Sequence, residues 1–218
     1  MQNLHVIFAI DRAGLVGEDG ETHHGIYDIG FLRHAPGLKI LCPGSKQELQ
    51  AMLRWAVMEQ QGPVAIRYPR GGDRDYVGSA WNGHDMLRCH QTGNDVTILT
   101  YGIMLRNALD AAQLLASNGI QATVIRLMAV NPLPVKQILG AVNQNAPVVV
   151  LEEVSGNCGI KDSLAYELHQ VCHDAIVKGL DLGCRYIPHG TVNELYAQHG
   201  LDAQSIANFV QEVLKDEN

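Results

Sequence analysis

Beyond residue 95 the chain alternates short apolar runs with stretches of helical period, and this alternation is the strongest constraint on its fold. The runs at 96–101, 122–127, 148–151 and 185–187 read as strands, with helices at 105–116, 134–142 and 160–172 between them. Two further helices, 192–198 and 203–214, finish the chain. Strand followed by helix, repeated at this spacing, implies a mostly parallel sheet with helices on both faces. The β-branched run Val148-Val149-Val150 and the segment 96–99 suit strands buried on both sides.

A second unit precedes this one. Residues 4–10 form an apolar run of strand length, followed by a loop (11–25) that contains Gly14, Gly17, Gly20 and Gly25, a short helix over 26–34 and a strand over 38–42. Ser45 stands three residues before Glu48, the spacing of a capping box, so a helix should start there and run to about Gln61. Leu49, Met52, Leu53, Ala56 and Val57 fall at helical intervals along it. Residues 63–67 then read as a short strand. Residues 71–94 are polar, glycine-containing and aperiodic, as a linker is. The expected division is 1–75, a linker at 76–94, and 95–218.

The expected fold class is α/β: two three-layer α/β/α units with mostly parallel sheets, the first incomplete at its N-terminus, because the run 4–10 has no element before it. An incomplete sheet would expose an apolar edge, so residues 1–75 should self-associate unless a partner covers them. The second unit, at about 130 residues, has the size of a domain that folds alone.

Composition narrows the partners. The chain is 46% hydrophobic and 18% charged, and no run approaches the roughly 18 apolar residues of a membrane span. A net charge of −7 repels a phosphate backbone, so neither a membrane nor a nucleic acid is an expected partner. Any anionic ligand should be small and held locally. The five cysteines are widely spaced and form no CxxC pair, and no secretory leader precedes them, which suits a reduced, cytoplasmic protein.

The densest polar cluster is the loop 11–25. Loops at the carboxyl ends of strands in open α/β sheets are where ligands bind. Its glycines let the backbone approach a ligand, and Arg12, Asp19, His23 and His24 offer a guanidinium, a carboxylate and two imidazoles. This composition suits a ligand loop and a solvated surface loop equally well. Arg67-Tyr68-Pro69-Arg70-Gly71 also follows a strand, and a second arginine near the loop shifts the reading toward phosphate, which matches the planar fork of a guanidinium. GxGxxG, P-loop and GxSxG spacings are absent from the sequence. Cys172, His173, Cys184 and His189 match no zinc spacing, so no protein-held metal is assigned.

Taken together, Asp11-Arg12-Ala13-Gly14, Gly17-Glu18-Asp19-Gly20-Glu21-Thr22-His23-His24-Gly25, Asp28, Leu32-Arg33 and Arg67-Tyr68-Pro69-Arg70-Gly71 resemble the 1-deoxy-D-xylulose-5-phosphate synthases, thiamine-diphosphate enzymes of the transketolase superfamily. Val130-Asn131-Pro132-Leu133-Pro134, Glu152-Glu153 and Pro188-His189-Gly190 are similar to that family's C-terminal domain. The resemblance implies a reaction joining pyruvate to D-glyceraldehyde 3-phosphate with loss of carbon dioxide, on the way to isoprenoids and thiamine. It implies that Arg12 and Arg70 clamp the aldehyde's phosphate and that Asp19 and His23 act beside the thiazolium. His24 stands where the family often has Gln, and Gly156-Asn157-Cys158-Gly159-Ile160-Lys161 departs from the family's glycine pair.

The family's cofactors are thiamine diphosphate and magnesium. Its diphosphate and magnesium element has no counterpart in this sequence, nor has the front of its pyrimidine-binding domain with the activating glutamate. The chain therefore resembles the back half of that domain plus the C-terminal domain, expected to be inactive without an N-terminal part or subunit and to form a homo-oligomer. Two alternatives are the C-terminal subunit of a split transketolase-like enzyme with another donor, and a non-catalytic dimerisation or regulatory module.

Overall fold

The computed structural model describes residues 4–72 and 81–216. The first sheet is built from β1 (Ile7–Ile10), β2 (Lys39–Leu41) and β3 (Val64–Arg67), with helices α1 (Asp28–Leu32) and α2 (Lys46–Met58) between them. Strand β3 lies in the centre, parallel to both neighbours. Helix α2 begins where its cap predicts: the Glu48 N–H donates to Ser45 Oγ at 3.2 Å. Its buried positions, Glu48, Met52 and Ala56, recur every four residues and form one stripe against the sheet.

The second sheet contains β4 (Leu87–Gln91), β5 (Val96–Tyr101), β6 (Ala122–Leu127), β8 (Val148–Leu151) and β9 (Val177–Leu180), in the order β4-β6-β5-β8-β9. Strands β5, β6, β8 and β9 are parallel, and β4 joins the edge antiparallel to β6. Helices α3 (Leu105–Ser117) and α7 (Ala203–Lys215) cover one face, with α6 (Val192–His199) beside them. Helices α4 (Val135–Ala141) and α5 (Lys161–His169) lie on the other. Alternate residues of β5 serve the two cores: Val96 and Ile98 pack against α3, whereas Leu99 and Tyr101 face a core that includes Ile29, Ile40 and Ala65 of the first unit. The two units thus share one apolar layer. The fold is α/β with parallel-dominant sheets, and no helix among the described residues is long and apolar enough to cross a membrane.

Three features depart from the sequence expectation. Residues 87–91, read as linker, are β4; an edge strand that is only partly buried needs no apolar run, so its Leu-Arg-Cys-His-Gln sequence carries no periodic signal. The rest of that linker at 76–80 lies outside the described residues. Residues 185–187, read as a strand, are irregular, and Tyr186 is 90% exposed. The outer strand is instead β9, whose Gly179 leaves room for the Lys161 side chain of α5. Finally, β7 (Ala129–Asn131) leaves the second unit and adds to the first sheet, antiparallel to β2, in the order β1-β3-β2-β7.

That crossover is bolted by a buried ion pair. Arg126 of β6 donates to Glu48 of α2 through Nη1 at 2.7 Å and through Nη2, and the Gly44 N–H donates to the same carboxylate at 2.9 Å. Glu48 therefore turns away from its own N-cap backbone and toward the second unit. At the opposite edge β1 pairs with β3 alone, and Leu4, Val6 and Phe8 are exposed there.

Candidate active site

The loop between β1 and α1 is shaped by its glycines. Gly14 has φ +79°, and its N–H and C=O exchange hydrogen bonds with Gly25 at 2.8 and 2.9 Å, closing residues 15–24 into a flap. A Cβ on Gly25 would run into the Arg12 carbonyl. Arg12 itself has φ +58°, a left-handed conformation that a side chain adopts at a cost of about 1–3 kcal/mol and keeps only where its neighbours hold it. The hold comes from the next residue: the Ala13 N–H donates to the Tyr68 carbonyl at 3.0 Å. This bond ties the flap to the loop after β3, which carries Arg70.

Arg12 and Arg70 converge on one carboxylate. Arg12 Nε donates to Asp19 Oδ2 at 3.0 Å, and Arg70 Nη1 donates to Asp19 Oδ1. Arg12 Nη1 also reaches Asp11 Oδ2 at 2.5 Å. The side chains of Arg12, Asp19 and Arg70 are 41%, 20% and 49% exposed, so each ion pair is worth at most about 1 kcal/mol and exchanges readily with another anion. Beside them a cleft of about 280 Å³ opens between Arg70, the flap at 15–18 and the start of α6. His23 is exposed and shares a 3.0 Å hydrogen bond with Thr22. The structure therefore brings Arg12, Asp19 and Arg70 together and leaves His23 outside that contact.

Beneath this open rim lies a buried polar floor. Arg67 donates through Nε to Asp28 at 2.7 Å and through Nη2 to the Gly25 carbonyl at 2.7 Å, pinning the end of the flap. Burial alone would lower the pKa of that guanidinium, but the Asp28 charge outweighs it and the value is raised. Cys42, in the same pocket, is pushed up to about 12 by burial and stays a thiol. His24 is buried: its Nδ1 accepts from the Val16 N–H at 3.2 Å, which leaves the proton on Nε2, facing the Pro188 carbonyl at 3.4 Å. His24 is thus a strut between the flap and the segment before α6.

Two consecutive acids at the end of β8 divide the work. Glu152 accepts from Tyr101 Oη at 2.9 Å and from the Ile160 and Lys161 N–H groups at 2.7 and 3.2 Å, capping α5; a Cβ on Gly159 would overlap it. Burial raises its pKa despite those donors. Glu153 points the other way and accepts from the Leu15 N–H of the flap at 2.8 Å. Sequence reading singled out the pair only through a resemblance, although two acids at the carboxyl end of a buried parallel strand already stand where such sheets gather polar groups.

Two α/β units with a guanidinium-rimmed flap at their junction have counterparts among known proteins. Residues 1–73 match the transketolase pyrimidine binding domain and residues 86–206 the transketolase C-terminal domain, and the chain belongs to this family, whose members use thiamine diphosphate. It is similar to the 1-deoxy-D-xylulose-5-phosphate synthase of Chlorobaculum tepidum (38% identity over 99% of this chain and 34% of that protein). It is likewise similar to that of Halalkalibacterium halodurans (37% identity, 98% and 34%). Among solved structures it is similar to a split-gene transketolase described as an inactive beta4 tetramer (26% identity, TM-score 0.80, 96% of this chain and 67% of that chain). The chain spans about a third of the length of the curated relatives it matches.

Proposed function

We propose that this chain is the C-terminal part of a 1-deoxy-D-xylulose-5-phosphate synthase, which joins pyruvate to D-glyceraldehyde 3-phosphate with loss of carbon dioxide and feeds isoprenoid and thiamine synthesis. The observation that carries this reading is the convergence of Arg12 and Arg70 on Asp19 at an open rim, in a chain 38% identical to such a synthase. Two guanidiniums sharing one carboxylate are spaced to share a phosphate, which carries more charge and more acceptor oxygens. Binding the aldehyde's phosphate exchanges it for Asp19 and frees that carboxylate to accept a hydrogen bond from a substrate hydroxyl. His23, exposed on the same flap, moves the proton to the oxygen formed when the carbonyl is attacked.

Thiamine diphosphate supplies the electron sink for decarboxylation. Among the described residues no three His, Cys, Asp or Glu side chains converge as metal ligands for the family's magnesium and diphosphate. We infer that an N-terminal part or subunit holds them and that this chain alone is inactive. We also infer a cytoplasmic homo-oligomer, supported by five free cysteines and by the assembly of the split-gene transketolase. That likeness favours a second reading, the C-terminal subunit of a split transketolase.

The test is a synthase assay with pyruvate, D-glyceraldehyde 3-phosphate, thiamine diphosphate and magnesium, run with the chain alone and with a matching N-terminal fragment. Activity is expected only in the mixture, with the aldehyde KM raised by Arg12→Ala and Arg70→Ala. Turnover of a ketose phosphate donor in place of pyruvate would select the split transketolase. Inactivity of the mixture with both donors would reject both readings and leave a dimerisation or regulatory module.

A further inference from the structure

We propose that Glu153 and Tyr196 are positioning residues for the arginine clamp, so that the C-terminal half of the chain sets the geometry of a site whose anion-binding side chains all lie in the N-terminal half. The inference rests on reading Arg12 and Arg70 as an anion site.

Glu153 is 4% exposed and is the second residue after β8, a strand buried along its whole length. Its Oε1 accepts two hydrogen bonds, from the Leu15 N–H at 2.8 Å and from Tyr196 Oη of α6 at 2.7 Å. The carboxylate also fills the space where a side chain at position 14 would lie, since a Cβ on Gly14 would overlap it. Flap and acid are therefore fitted to each other in shape as well as in hydrogen bonding.

From Leu15 the restraint runs outward in two directions. Toward the N-terminus it passes through Gly14, paired with Gly25, to Ala13, which is bonded to Tyr68; Arg12 follows at once, in a conformation that local sterics do not favour. Toward the C-terminus it passes Val16, whose N–H is held by His24, into the short turn Gly17–Asp19. Both Arg12 and Asp19 are thus within four residues of the amide that Glu153 holds. The clamp is solvent-exposed and its own ion pairs are weak, so they cannot supply its geometry. A buried, charge-assisted bond from a rigid strand can, in the way that outer groups orient the groups that touch a ligand.

The experiment uses the full chain with inorganic phosphate as the probe. Phosphate affinity is read by NMR titration, and hydrogen exchange is read amide by amide. Glu153→Ala is expected to speed exchange at Leu15 and Gly25 at least tenfold, leave the β5 and β6 amides unchanged, and weaken phosphate binding about tenfold. Tyr196→Phe, which keeps the ring and the fold, should shift both readouts in the same direction by a smaller factor. Glu153→Gln, whose carbonyl oxygen still accepts both bonds, should restore most of the loss.

Unchanged flap exchange in both Glu153→Ala and Tyr196→Phe would overturn the proposal. So would faster exchange with unaltered affinity while Arg12→Ala and Arg70→Ala still weaken binding. If instead phosphate fails to bind the wild-type chain, or binds without regard to either arginine, the clamp reading itself fails and the positioning role falls with it. The two failures are told apart by the arginine variants.

Discussion

Two of the carboxylates gripped by arginine in this molecule, Glu48 and Asp19, behave oppositely. Glu48 and Arg126 have no exposed side-chain surface and join the two units, whereas Asp19, Arg12 and Arg70 stand at an open rim. The groups are the same and the distances comparable. Water makes the difference: the buried pair is shut off from solvent and from small anions, so the contact is a fixture. At the rim, solvent and small anions compete for the guanidiniums, so the contact is a resting state from which a ligand can take over. Burial, more than charge, separates a joint from a site.

The sharpest way to break this contrast is to remove one partner of each pair. Glu48→Ala removes the carboxylate that grips Arg126 in the shared core, and the expected loss is about 3–5 kcal/mol of unfolding free energy, measured by urea titration. A loss below about 1 kcal/mol would mean that water reaches the junction and that the two clusters are alike. Acid should act next, and on the junction first. Burial, Arg126 and Arg88 hold His90 down from 6.5 to about 4. The unfolded chain therefore binds this proton more readily, and stability falls as the pH drops from 6.5 toward 4. Burial pushes the Glu48 carboxyl up, but its bonds to Arg126 and Gly44 prevail and its pKa is lowered. Its contribution is complete above 4.5 and is lost as the pH falls through the depressed value. Melting temperatures between pH 7 and pH 4 should decline accordingly, and His90→Gln should flatten the upper part of that decline. The smallest effect belongs to the rim: Asp19→Asn should change stability by under about 1 kcal/mol. The same variant should tighten phosphate binding in a titration, because the internal competitor for both guanidiniums has lost its charge.

Elements whose signal is local were legible in the sequence. The Ser45 cap placed the start of α2, and the mostly apolar runs at 96–101, 122–127 and 148–151 gave β5, β6 and β8 their bounds, because strands buried on both faces are predominantly apolar. The edge strands β4 and β9 were not legible, since half-exposed strands accept Arg88, His90 or Lys178. The site was legible as a set of residues and not as an arrangement. Arg12 and Arg70 meet because of the bond from the Ala13 N–H to the Tyr68 carbonyl, which any pair of side chains at those positions could make. Glu153 acts on Leu15 across 138 positions of sequence, and His24 reads as a ligand candidate until its burial shows it to be a strut.

The passage of β7 into the first sheet also orders events while the chain is being made. Strand β2 ends at Leu41, but its outer neighbour begins only at Ala129, and Cys42 waits for the Met128 carbonyl. At roughly 5–20 residues per second, a ribosome needs roughly 4–18 s to cover that interval. During it the outer edge of β2 is open, and the interval is when a chaperone or a neighbouring nascent chain has its best access to that edge.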